Sequence, residues 1–261
     1  MSRYSLADIG LIMQQEKIVS SISRSSLCRW YKQDALKPWR YHNWLFSRDP
    51  EFLTKATLVL NLYQGMWAAE ALGADDYVIS ADEKCGLQIL ARCHPTRAPI
   101  SGKQGQVEFE YERLGTLAYQ AALDVFQGTV IGQIQPSNGI LTFNQLVHKV
   151  MSQPPYNTAR RVFWIVDNGS AHHPATFPTR LADLYEQAIA VHLPTHASWL
   201  NQIELYFSIL QRKALTPRDF NSQDEMADRI LAFQDRFSAQ AKPFNWRFST
   251  DDLRQRMNLL N

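Results

Sequence analysis

The chain has 261 residues, 45% hydrophobic and 20% charged, which is enough for one sizeable core and a small accessory domain. No apolar run approaches the ~20 residues that cross a bilayer, no signal-peptide core is present, and three scattered cysteines (Cys28, Cys85, Cys93) exclude a disulfide framework, so a cytoplasmic protein with no membrane partner is expected. The net charge of +2 conceals an asymmetry, +5 over residues 1–48 against −3 over the rest, which fits a chain that holds a polyanion at one end and acts on it with the other.

Ser5-Leu-Ala-Asp8 predicts a boxed helix start, with a helix to about Glu16 and Leu6, Ile9, Ile12 and Met13 as its apolar stripe. Residues 18–22 lead to a second helix, capped by Ser23, with Leu27, Trp30 and Tyr31 inward and Arg24, Ser25, Ser26 and Arg29 outward. Two short helices joined this way, with a basic, polar outer face, read as a helix-turn-helix; a plain helical hairpin is the alternative. Residues 37–44 form a basic, aromatic linker in which Lys37 and Arg40 are expected to follow a DNA backbone. Residues 1–48 are thus expected to form a DNA-binding domain with its linker.

A helix is predicted over 51–72, then two paired strands over 76–82 and 85–91 around a turn at Lys84-Cys-Gly86. Residues 92–113 are loop-rich, and 117–126 and 129–135 form a hairpin around Gln127-Gly128. There follow a helix over 142–151, a buried strand over 162–166, a helix over 178–186, a strand over 188–192 and a helix carrying Glu204. On that helix Trp199, Ile203, Phe207 and Leu210 recur at helical spacing, which sets Glu204 beside an apolar stripe and predicts that it is at least half-buried. C-terminal helices are expected over 223–238 and 251–260, with Phe244, Trp246 and Phe248 between them reading as core rather than as a base-stacking platform. Strand hairpins followed by alternating helices and strands give an α/β chain with a mixed sheet, the ribonuclease-H-like order, over residues 49–240, with 241–261 as a tail.

Asp82 and Asp167 close strand-like runs, and Glu204 lies on the helix that follows the last strand. In-line attack on a phosphodiester needs a deprotonated nucleophile and a stabilised leaving oxygen, and two divalent cations ~3.5–4 Å apart serve both needs. Hard cations take carboxylate oxygen, so Asp82, Asp167 and Glu204 are the candidate catalytic, metal-binding triad for Mg²⁺ or Mn²⁺. Taken singly each acid reads better as a cap, turn or surface residue; their joint placement points to phosphoryl transfer. Histidines 172, 173, 192 and 196 suggest zinc only weakly, because no thiolate pair accompanies them.

Ser80-Ala-Asp82-Glu-Lys84, Val166-Asp167-Asn-Gly-Ser-Ala-His172 and Ser198-Trp-Leu-Asn-Gln-Ile-Glu204 resemble the three catalytic blocks of mariner-like DDE transposases of bacterial insertion sequences, in the IS-six-thirty branch. The likeness extends to the helix ending at Trp30, to residues 122–126 and to the tail as far as Asp252. It implies a ribonuclease-H-like domain that cuts and joins double-stranded DNA at terminal inverted repeats, as a homodimer on that DNA, in the bacterial cytoplasm at the nucleoid. It further implies that Asn168 and His172 shape an edge of the site and that Asn201 orients Glu204 or touches DNA. Two features depart from the pattern. The 36 residues between Asp167 and Glu204 slightly exceed the usual number, and family members carry a further helix-turn-helix ahead of this one, which implies a shortened chain. A ribonuclease H or structure-selective nuclease would share the acids without needing residues 1–48, and a transposase-derived DNA-binding protein would keep the fold without the chemistry.

Overall fold

The computed structural model describes residues 5–33, 49–216 and 220–258, and the chain divides into two units, Met1–Phe46 and Ser47–Asn261. In the first unit, α1 (Leu6–Gln15) starts with the predicted box: Ser5 Oγ accepts from Asp8 N, and the Asp8 carboxylate accepts from Ser5 N. α2 (Arg24–Gln33) follows, with Ser23 Oγ accepting from Ser26 N. The helices meet where Gly10 lies against Leu27 and Ile22. Leu27 is buried there, but Trp30, expected inward, is 51% exposed.

In the second unit, α3 (Phe52–Tyr63) is shorter than predicted, because β1 (Met66–Trp67) and β2 (Glu70–Ala71) form a small hairpin directly after it. The turn uses Ala68 and Ala69 with φ of 49° and 66°, a left-handed pair normally given to Asn or Gly, so no turn residue announces it. β3 (Asp76–Arg92), β4 (Tyr111–Asp124), β5 (Val130–Gln135), β6 (Arg161–Val166) and β7 (Ala188–His192) build one sheet in the order β5-β4-β3-β6-β7. The first three strands run antiparallel to one another, and β3, β6 and β7 run parallel. The two predicted strands over 76–82 and 85–91 are one continuous β3. Gly86, at φ 64°, makes a bulge that shifts the register between Lys84 and Leu87 instead of a turn.

One face of the sheet packs against α4 (Ile140–Met151) and α5 (Phe177–Leu184) through Ile79, Ala81, Trp164 and Val166. The other face carries α6 (Ile203–Lys213) and α7 (Gln223–Ala239) over β3, β4 and β5. Beside them α3 and α8 (Thr250–Asn258) cover Val78, Phe163 and Ile165, with Trp246 and Phe248 packed, partly buried, against this layer. The result is the mixed α/β, ribonuclease-H-like sheet expected, preceded by the two helices. No helix among the described residues is long and apolar enough to cross a membrane.

Candidate active site

β3 and β6 pair in parallel from Asp76 and Arg161 up to Ser80 and Ile165. Two residues further on, the same register brings Asp82 beside Asp167, on the face covered by α6. Adjacent parallel strands in register point equivalent side chains the same way, so the pairing itself assembles the two carboxylates. Asp82 therefore stands in the middle of a long strand rather than at its end, at the point where parallel pairing stops. Ligand atoms of Asp82, Asp167 and His172 all lie within 4.8 Å of one another.

Asp82 is 7% exposed. Burial, and then the neighbouring Asp167 charge, push its carboxyl up to about 7. Asp167 moves the other way, held below the usual carboxylate range by His172 and by the Gly169 N–H, which donates to Oδ1 at 2.7 Å. His172 is fully buried, with both ring nitrogens engaged: Nδ1 is 3.0 Å from Asp167 Oδ1 and Nε2 is 3.0 Å from Glu83 Oε2. Burial opposes its charge, but the two carboxylates outweigh burial and raise its pKa to about 10.

Asn201 lies just before α6, buried, and its Nδ2 donates to Asp82 Oδ2 at 3.2 Å and to the Ala81 carbonyl at 3.1 Å. It bonds the Ser80 hydroxyl as well, and Ser80 Oγ accepts from Ile203 N at 2.9 Å. Asn201 thus bonds Asp82 and is 1% exposed. Trp199 belongs to a short 3-10 turn, Ser198–Leu200, and not to the helical stripe; half-exposed, it meets Phe248 edge-on. Glu204, the second residue of α6, is exposed and not half-buried, because it points away from Ile203, Phe207 and Leu210. Its carboxyl is raised, first by partial desolvation and further by Asp167, and Lys84 counters this, so it shares the electrostatic field of the pair. Asn168 donates to the Leu193 carbonyl at 2.9 Å, tying the exit of β6 to that of β7.

Sequence reasoning missed Glu83. Its neighbour Asp82 drew the functional reading, and only the fold brings His172 against it. Among the described residues the four histidines do not cluster: the group able to hold a metal contains His172 alone of them, with Asp82 and Asp167, while His192 Nε2 bonds the His172 carbonyl and His173 Nδ1 accepts from Ala175 N.

The donor set suits a hard divalent cation. Two carboxylates converge in a half-buried setting that disfavours their joint charge, a repulsion which a cation between them would relieve. Asp82 and Asp167 would hold it, with Glu204 on the adjoining helix. In the first unit, exposed Arg24, Ser25 and Arg29 line an open cleft of about 660 Å³ together with Cys28 and Lys32. Lys37 and Arg40 lie outside the described residues.

Known structures similar in fold include three crystal structures of the Mos1 mariner transposase. The paired-end complex with Mg has TM-score 0.54 and 12% identity, covering 99% of this chain and 78% of that one. The paired-end complex with Mn gives 0.51 and 11%, covering 95% and 81%. The strand transfer complex gives 0.51 and 11%, covering 94% and 80%. At such identity the likeness speaks for the fold. None of the curated proteins matches the sequence significantly. Residues 79–227, which span β3 to α7 and contain all three acids, match the DDE superfamily endonucleases. The chain belongs to the DDE superfamily endonuclease family.

Proposed function

We propose that this chain is a DNA transposase of the mariner-like kind carried by bacterial insertion sequences, of the IS-six-thirty branch, acting at the nucleoid on terminal inverted repeats and target DNA. The observation that carries the reading is the pairing of Asp82 with Asp167 at the point where β3 and β6 part, backed by Asn201 and flanked by Glu204. Asp82, Asp167 and Glu204 serve as the catalytic triad, holding two Mg²⁺ or Mn²⁺ ions. When bound, such ions supply an activated oxygen nucleophile and charge stabilisation for the leaving oxygen. The chain's own residues fix the carboxylates: Asn201 holds Asp82, and Gly169 and His172 hold Asp167. Arg24, Ser25 and Arg29, with Lys37 and Arg40, retain the DNA end, and two copies bring two ends together. The fold neighbours support this reading, since their structures are of mariner transposase paired ends with Mg or Mn and of strand transfer.

Cutting and joining are the same displacement with water or a 3′-hydroxyl as nucleophile, so joining separates a transposase from a nuclease. Full-length protein is incubated with a pre-cleaved duplex taken from the DNA flanking its coding sequence, a target plasmid, and Mg²⁺ or Mn²⁺. A covalently joined product is expected. Nicks without joined product would favour a ribonuclease-H-like nuclease, and DNA binding without metal-dependent chemistry an inactive descendant.

A further inference from the structure

We propose that Glu83 is a positioning residue for the metal-holding carboxylates, acting through His172 to fix Asp167 so that one oxygen of that carboxylate is presented to a cation. The inference rests on the reading of Asp82 and Asp167 as the cation-holding pair.

Glu83 follows Asp82 on β3 and so projects to the opposite face of the sheet, the side of α4 and α5. There Oε2 lies 3.0 Å from His172 Nε2, and Asn138 touches the other oxygen at 3.5 Å. The imidazole is clamped: Phe143 packs 4.8 Å from its centre, Phe177 packs edge-on, and its own carbonyl accepts from His192. With a carboxylate oxygen against each nitrogen, the ring donates from both, and its orientation is decided by the pair of acceptors. On the far side, His172 Nδ1 lies 3.0 Å from both the Asp167 carbonyl and Asp167 Oδ1, and Oδ1 accepts from Gly169 N as well. Oδ2 receives no donor from the described residues and is the oxygen left for a cation. Glu83, His172 and Asp167 thus form a chain of alternating charge running from the α4 and α5 face of the sheet to the site on the α6 face. A buried ring nitrogen without its acceptor would be left unsatisfied, so the ring's hold on Oδ1 depends on Glu83.

The test uses full-length protein and Mn²⁺ alone as probe, with affinity read by electron paramagnetic resonance and folding by metal-free thermal melts. Glu83→Ala is expected to weaken Mn²⁺ binding ~10–100-fold, the range for lost outer partners of metal ligands. Glu83→Gln keeps an acceptor oxygen but not the charge, and is expected to fall between Glu83→Ala and wild type while melting close to wild type. If the alanine variant fails to fold, the glutamine variant decides. Proton–nitrogen spectra of wild type should show both His172 ring N–H groups, with Nε2–H lost to exchange in Glu83→Ala. Wild-type Mn²⁺ affinity in the folded variants would overturn the role of Glu83 and leave the triad standing. Nitrogen hyperfine coupling to bound Mn²⁺ would overturn it too, by making His172 a ligand. Absence of Mn²⁺ binding in the wild type would instead overturn the metal reading on which it rests.

Discussion

Asn201 Nδ2 lies 3.2 Å from Asp82 Oδ2 and 3.1 Å from the Ala81 carbonyl, which pins the approach to α6 against the middle of β3. One amide therefore sets both the aim of Asp82 and the place where the Glu204 helix begins. Asn201→Ala would leave the Ala81 carbonyl and the Ser80 hydroxyl short of partners in a buried setting, at a cost of about 1–3 kcal/mol. It should also lower metal-dependent DNA cleavage ~10–100-fold, because the carboxylate it orients keeps only the Glu83 N–H, at 2.7 Å, to hold it. Denaturant melts and single-turnover cleavage check both parts, and cleavage at the wild-type rate would contradict the coupling.

The three acids make a sharper prediction when each is neutralised without change of shape. Asp82→Asn, Asp167→Asn and Glu204→Gln should each abolish Mg²⁺-dependent cleavage while retaining fold and DNA affinity. Divalent metal should raise the melting point of the wild type, since a ligand present at 100 times its Kd adds ~2.7 kcal/mol to the folded state. That increment should shrink in all three variants. Glu204 is the informative case, because it is exposed and stands outside the close group formed by Asp82, Asp167 and His172. Strong cleavage by Glu204→Gln would remove it from the triad.

Gly169 has an ordinary φ of −61°, so its reason for being glycine is space. A Cβ there would lie 2.8 Å from His172 Cε1 and 2.9 Å from Asp167 Oδ1. Gly169→Ala must push aside either the ring or the carboxylate, and both belong to the site. The expected outcome is loss of Mn²⁺ affinity and of cleavage by ~10–100-fold. The melting temperature should fall by only a few degrees, about 1 kcal/mol in a chain of this size. Calorimetry and a metal titration on one preparation separate the two effects; an affinity equal to wild type would show that the site relaxes around the methyl.

What the sequence revealed and what it hid have the same cause. Strands such as the buried β6 and the half-buried edge strand β7 are short apolar runs bounded by polar residues, and they were legible as strands. Lys84-Cys-Gly86 carries a true backbone signal, a left-handed glycine, but a bulge and a hairpin need the same glycine, and only the pairing of β3 with β4 tells them apart. The end of α3 was invisible because two alanines make the turn after it, held there by Trp67 packing on Phe163. Asp82 and Asp167 stood out because each closes a strand-like run, but their meeting follows from the in-register parallel pairing of β3 and β6, which the sequence does not print. Glu83 was not, because its meeting with His172 crosses from one sheet face to a loop 89 residues away.

Acid should find a weak point remote from the site. The Asp76 carboxylate is buried at the start of β3 and bound by Arg160 at 2.5 Å and Arg161 at 2.8 Å, contacts that hold it well below the usual carboxylate range. A depressed folded pKa contributes stability that is complete above the unfolded value of ~3.9 and is lost as pH falls towards the folded one. Wild-type melting temperature should therefore drop steeply below pH ~4, and more steeply than that of Asp76→Asn. At neutral pH the same substitution should cost about 1–3 kcal/mol, less than a fully buried pair because both arginines keep water contact. Parallel melting curves for the two proteins below pH 4 would show that other carboxylates govern acid unfolding.

The last prediction concerns α2, whose Arg24, Ser25 and Arg29 are exposed along one open cleft with Lys32. If this helix reads a major groove, Arg29→Ala removes a base contact and reduces the preference for end sequence over random duplex by ~1–3 kcal/mol. Lys37→Ala, in the basic stretch after the helix, should instead weaken both duplexes about equally and flatten the salt dependence, because a phosphate contact carries no sequence information. Competition binding at fixed salt, repeated over several salt concentrations, distinguishes the two kinds of loss. An unchanged specificity ratio for Arg29→Ala would make α1 and α2 a packing hairpin, and end recognition would then have to come from elsewhere in the chain.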